Sequence, residues 1–128
     1  MRYRQRSAMS FEEFQELLGQ MLDEIPPPLL EELSGGVLAE KRTAWSEEHP
    51  DLVLLGQYLV DPYLGRLIVL YYGSFVRAYG ADRERWVEEM RRTLRHEIRH
   101  HVESRAGVRD LELEDAREVR RFLEGLEG

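Results

Sequence analysis

The segment Leu94-Arg95-His96-Glu97-Ile98-Arg99-His100-His101 decides what kind of molecule this chain folds into. His96 and His100 stand four residues apart, and Glu97 follows the first of them, giving H-E-x-x-H. On a helix, side chains at i and i+4 lie one above the other, so two imidazoles at this spacing can share one Zn²⁺. Bulk water is a poor nucleophile at neutral pH. Zinc lowers the pKa of water it holds to about 7, and a carboxylate beside the first histidine can accept the proton. The pattern predicts His96 and His100 as metal ligands, with Glu97 as general base toward a metal-activated water.

The surrounding residues support a helix here. At 100° per residue, Val87, Met90, Leu94, Ile98 and Val102 fall on one side, while His96, His100 and Glu103 fall on the other. The helix is expected to begin at Asp82, run to about Ala106 and end at Gly107. Two candidates for a third ligand follow the pair. Glu103 shares the histidine face, about 10 Å along the axis from His96. Asp110 comes after Gly107, where the chain can reverse, and Glu112, Glu114 and Asp115 lie farther along the same return. His101 lies near the apolar flank and His49 precedes a proline, so both are read as structural or solvent-facing. Arg91, Arg92, Arg95, Arg99, Arg105 and Arg109 are interleaved with acids, the pattern of an ion-paired helix surface rather than a nucleic-acid contact.

Upstream, Ser10 and Glu13 form a capping box before Phe11, Phe14, Leu17, Leu18, Met21 and Leu22 at helical spacing. Pro26-Pro27-Pro28 ends that helix, because proline lacks an amide proton and restricts its predecessor. A short helix is expected over 27–33. Three strands are expected over 37–43, 52–60 and 66–72, the last two as an antiparallel pair. Ser74 is placed as the cap of a short helix ending at Gly80. A final helix is expected near 114–124, with Ala116, Val119, Leu123 and Leu126 on one stripe.

The whole chain has 128 residues, 42% apolar and 34% charged, with a formal net charge of -7. That supports one soluble α+β domain over 10–128, preceded by a basic flexible tail at 1–9. The acidic balance argues against nucleic acid as a partner. No apolar run reaches the roughly 20 residues of a membrane helix. The lack of a signal sequence pattern makes a cytoplasmic location the expectation. Cysteine is absent, so a metal must be held by His, Asp or Glu.

The chain resembles the small bacterial zincin-like metallopeptidases, the minimal zincins, whose motif is H-E-x-x-H-x-x-G-x-x-D. Leu54-Leu55-Gly56-Gln57-Tyr58, Arg66-Leu67-Ile68-Val69-Leu70-Tyr71-Tyr72-Gly73 and the 92–101 segment fall in the family's order. The resemblance implies a three- to four-stranded sheet packed on the active-site helix with backing helices, and one zinc. His96, Glu97 and His100 match position by position. Glu103 replaces the family's Gly and Ala106 its Asp, and Gly107-Val108-Arg109-Asp110 repeats G-x-x-D one turn late.

The expected function is zinc-dependent hydrolysis of a peptide or protein substrate. Glu103 or Asp110 is the third ligand, and 66–72 is the edge strand that pairs with substrate. So small a domain leaves an open cleft, which a partner protein can complete. The alternative is a catalytically inactive zincin-like module for metal binding or protein interaction.

Overall fold

The structure, a computed structural model, describes residues 7–108. At its centre is a hairpin of β4 (Gly56–Asp61) and β5 (Gly65–Tyr71), paired antiparallel from Gly56↔Leu70 to Asp61↔Gly65. Asp61 makes the turn: its Oδ1 accepts the amides of Tyr63 and Leu64, each at 2.8 Å. Gly65 completes it with φ +81°, a backbone that residues bearing a Cβ seldom adopt.

On its other side β5 pairs in parallel with β1 (Gly36–Glu40), giving the order β1-β5-β4. The strand expected at 66–72 is therefore central, and the expectation that it forms the edge is overturned. Its composition explains this. Leu67 to Tyr71 are all apolar and buried, as a strand covered on both faces must be. Among the described residues, the edge strand on that side is β4.

The strand expected over 52–60 is two strands. β3 (Val53–Leu54) pairs with β2 (Ala44–Trp45) in a separate small ribbon, and β4 then joins the main sheet. Leu55 is the crossing point, its carbonyl accepting the Tyr71 amide at 2.9 Å. Leu54 packs with Ala44, Leu67, Val69 and Tyr71 on one face of the sheet, while Leu55 packs with the main core on the other.

That main core lies between the sheet and the helices. In α1 (Phe11–Asp23), Ser10 accepts the Glu13 amide at 3.1 Å, and Phe14, Leu18 and Met21 are buried. The prolines shorten the following helix to a 3₁₀ turn, Pro27–Leu30, and Glu32 at φ +64° turns the chain toward β1. α2 (Tyr72–Tyr79) starts directly from β5, two residues before the expected cap. Ser74 serves elsewhere: its hydroxyl accepts the Ala44 amide at 3.0 Å and holds β2. Phe14, Tyr72, Phe75 and Trp86 form an aromatic cluster with centroids 5.4–6.4 Å apart.

α3 (Arg83–Val108) is begun by Asp82, which accepts the Arg85 amide at 3.1 Å. It continues through Gly107, where the sequence leads one to expect its end. Residues 7–9 pack onto the domain rather than trailing from it. Met9 is buried, Ala8 donates to the Gly80 carbonyl at 2.8 Å, and the Tyr72 hydroxyl donates to the Met9 carbonyl at 2.6 Å. The helix expected at 114–124 lies outside the described residues.

Candidate metal centre on helix α3

Three rows of side chains run along α3 at i, i+4 spacing, and each meets a different environment. Met90, Leu94, Ile98 and Val102 are buried in the main core. Arg92, His96 and His100 are exposed, as is Glu103. Between them runs a row that hydropathy alone does not reveal: Glu89, Thr93, Glu97, His101 and Arg105 are all polar and all buried.

On the exposed row, the Nε2 atoms of His96 and His100 approach to 3.0 Å, with the rings edge to face. Two nitrogens at about 2.0–2.1 Å from a tetrahedral zinc would be roughly 3.3 Å apart, so the pair fits two arms of such a site. Among the described residues no third His, Asp or Glu joins them in a metal-holding group. Glu103 is exposed on the same outer surface, one turn beyond His100. Asp110, Glu112, Glu114 and Asp115 lie outside the described residues.

Glu97 belongs to the buried row. Burial pushes its carboxyl pKa up, while His96, His100 and the backbone amide of Tyr58, which donates to it, pull the other way. A carboxylate with a raised pKa is a stronger base when ionised, the property expected of a group that must take a proton from water.

His101 is fully buried and spans two elements. Its Nδ1 lies 3.0 Å from the Tyr58 hydroxyl and its Nε2 lies 2.7 Å from the Glu31 carbonyl. A carbonyl only accepts, so Nε2 carries the proton and Nδ1 accepts from the phenol. Burial lowers the His101 pKa and favours that neutral form. One turn on, Arg105 donates to the Pro28 carbonyl at 3.1 Å and to Glu31 and Glu32 at 3.2 and 3.3 Å. The turn over residues 28–32 thus clamps the end of the helix that follows the histidines.

Other polar and aromatic residues of these elements take structural roles. Tyr71 donates to Gln57 Oε1 at 3.0 Å on the sheet's opposite face, and Tyr72 is held by Met9. His49 is exposed in its loop. Several arginines of α3 are ion-paired: Arg83 with Glu13, Arg85 and Arg92 with Glu89, and Arg91 with Glu24. No helix among the described residues is long and apolar enough to cross a membrane.

Sequence reasoning missed Tyr58, Gly56, Thr93 and the partners of Arg105. The available signal was the run of polar residues at 89, 93, 97, 101 and 105 bordering the apolar stripe, a spacing that puts them on one flank of the helix.

Comparison with known proteins agrees with this architecture. A family model described as zincin-like metallopeptidase matches residues 6–119. Among solved structures, the chain is similar to a conserved hypothetical protein from Thermo thermophilus. The match has 33% identity and a TM-score of 0.69, and covers 78% of this chain and 100% of that one. No curated protein matches.

Proposed function

Since the chain belongs to the zincin-like metallopeptidase family, we propose that it hydrolyses peptide bonds at the surface formed by α3 and the edge of β4. The observation that carries this reading is the convergence of His96 and His100 Nε2 at 3.0 Å beside a buried Glu97. Zinc, when bound, supplies Lewis-acid polarisation and an acidified water. His96 and His100 would hold it through neutral imidazole. A carboxylate, Glu103 or Asp110, would complete the set. Glu97 would take the proton of the attacking water and pass it to the leaving amine.

The substrate would lie extended along β4. Residues alternate along an antiparallel strand in sending backbone groups to one neighbour or the other. Leu55 directs its carbonyl to β5, so Gly56, Tyr58 and Val60 turn their backbone groups away from β5. With the Tyr58 amide taken by Glu97, the Tyr58 carbonyl and the Val60 groups are left for a peptide. That edge can pair with a peptide, and Val60, 71% exposed, offers it an apolar contact. A partner protein could extend the cleft along the same side.

The test is a peptide-library digest by zinc-loaded protein, with and without chelator. Cleavage abolished by chelator and by Glu97→Gln supports the peptidase. Stoichiometric zinc binding with no cleavage favours the inactive metal-binding or interaction module.

A further inference from the structure

Edge strand β4 touches α3 along the buried polar row, and Tyr58 makes two of the contacts. Gly56 lies against Thr93 so closely that an added Cβ would stand 2.7 Å from its Cγ2. Two residues along the strand, the backbone amide of Tyr58 donates to the Glu97 carboxylate. The side chain of the same residue crosses to the next helical turn, where its hydroxyl bonds His101 Nδ1 at 3.0 Å and the rings lie 5.5 Å apart. His101 is anchored on its far side by the Glu31 carbonyl at 2.7 Å.

These contacts have a consequence for the proposed base. A carboxylate on a helix has rotational freedom about three side-chain bonds, and productive proton transfer needs one orientation within hydrogen-bond reach of the water. The Tyr58 amide occupies one acceptor position of Glu97. That amide belongs to an edge strand which, among the described residues, has a strand neighbour on one side only. Its place against the helix depends on what else ties β4 to α3, and the Tyr58–His101–Glu31 chain is such a tie.

We propose that Tyr58 is a positioning residue for the site: its phenol, locked onto His101, holds the edge strand in register so that its own backbone amide orients Glu97 toward His96 and His100. This rests on the peptidase reading for its purpose, though not for its geometry. Tyr58 touches neither histidine Nε2, so its hydroxyl is needed for orientation of the base and not for holding metal.

The test compares wild type and Tyr58→Phe, each with and without Glu97→Gln, in the full chain. Three quantities are read: the amide proton shift at position 58, zinc affinity by chelator competition, and kcat and KM on a cleaved peptide. Glu97→Gln exchanges a charge-assisted hydrogen bond for a weaker neutral one, so the amide proton moves upfield in the wild-type background. In the Tyr58→Phe background that movement falls to less than half. Zinc affinity stays within about threefold, while kcat drops about tenfold or more with KM little changed. An amide at position 58 that ignores Glu97→Gln in the wild-type background overturns the proposal without recourse to Tyr58→Phe. So does an equal response in both backgrounds. If zinc-loaded wild type cleaves nothing, the peptidase reading fails, while the amide shifts still decide whether Tyr58 orients Glu97.

Discussion

Gly56 and Thr93 are in contact across the strand–helix boundary: a Cβ at position 56 would stand 2.7 Å from Thr93 Cγ2 and 3.2 Å from the Val69 carbonyl. Thr93 is buried and branched at Cβ, so its methyl has nowhere to swing. Gly56→Ala should destabilise the fold by about 1–3 kcal/mol, the usual result of overpacking. Thr93→Ser removes the offending methyl and should recover part of the loss in the double variant. Denaturant unfolding of the four proteins measures the coupling, and purely additive effects would show that the contact is not the cause.

His101 is a structural histidine beside a candidate ligand. Replacing it with Phe leaves the Glu31 carbonyl and the Tyr58 hydroxyl without their partner, at a cost of about 1–3 kcal/mol. Zinc affinity should stay within a few fold, since His101 faces the core flank rather than the His96 and His100 nitrogens. A large loss of zinc with unchanged stability would make His101 a ligand.

The H-E-x-x-H helix and its apolar stripe were legible in the sequence because both are periodic patterns on one element. The edge strand was not. Which of 52–60 and 66–72 lies outside depends on the parallel pairing of β1 with β5, a contact between residues about 30 positions apart that leaves no local mark. The unbroken apolar run Leu67 to Tyr71 was the available hint, since a strand with an open edge beside a cleft has less need to be apolar on both faces. Glu97 and His101 look like solvated residues by composition. They are buried because β4 and the 28–32 turn supply hydrogen-bond partners that only the tertiary fold provides.

The hairpin turn gives a pH-dependent stability. The Leu64 and Tyr63 amides hold the Asp61 carboxyl below its ordinary pKa. A depressed folded pKa stabilises the native state above the unfolded value, and the benefit disappears as pH falls through the folded one. Asp61→Ala should therefore lower Tm near neutrality, and the gap from wild type should narrow only below the usual carboxylate range. Thermal melts of both proteins from pH 7 to pH 2 check this. A gap that does not change with pH would assign the loss to the turn geometry and not to the charge.

The length of α3 bears on which carboxylate would complete the proposed site. Val108 is eight residues past His100, about 12 Å along the axis. Two further residues to Asp110 span at most about 7 Å, so Asp110 must double back to reach the pair. Glu103 projects from the helix itself and leans toward its N-terminus. Glu103→Ala should weaken zinc at least tenfold in a chelator competition, and Asp110→Ala should do so less. The reverse ordering would make the late G-x-x-D the ligand motif.

The central claim is that the outer row of α3 is a zinc site with His96 and His100 as two of its arms. Its most direct test is the thermal melt of wild type and His96→Ala with and without zinc. A metal that binds the native state alone raises Tm, by about 2.7 kcal/mol of added stability at a hundred times its dissociation constant. The account predicts that rise in the wild type, its loss in His96→Ala, and its weakening as acid protonates the imidazoles. An equal zinc-induced shift in both proteins would contradict it.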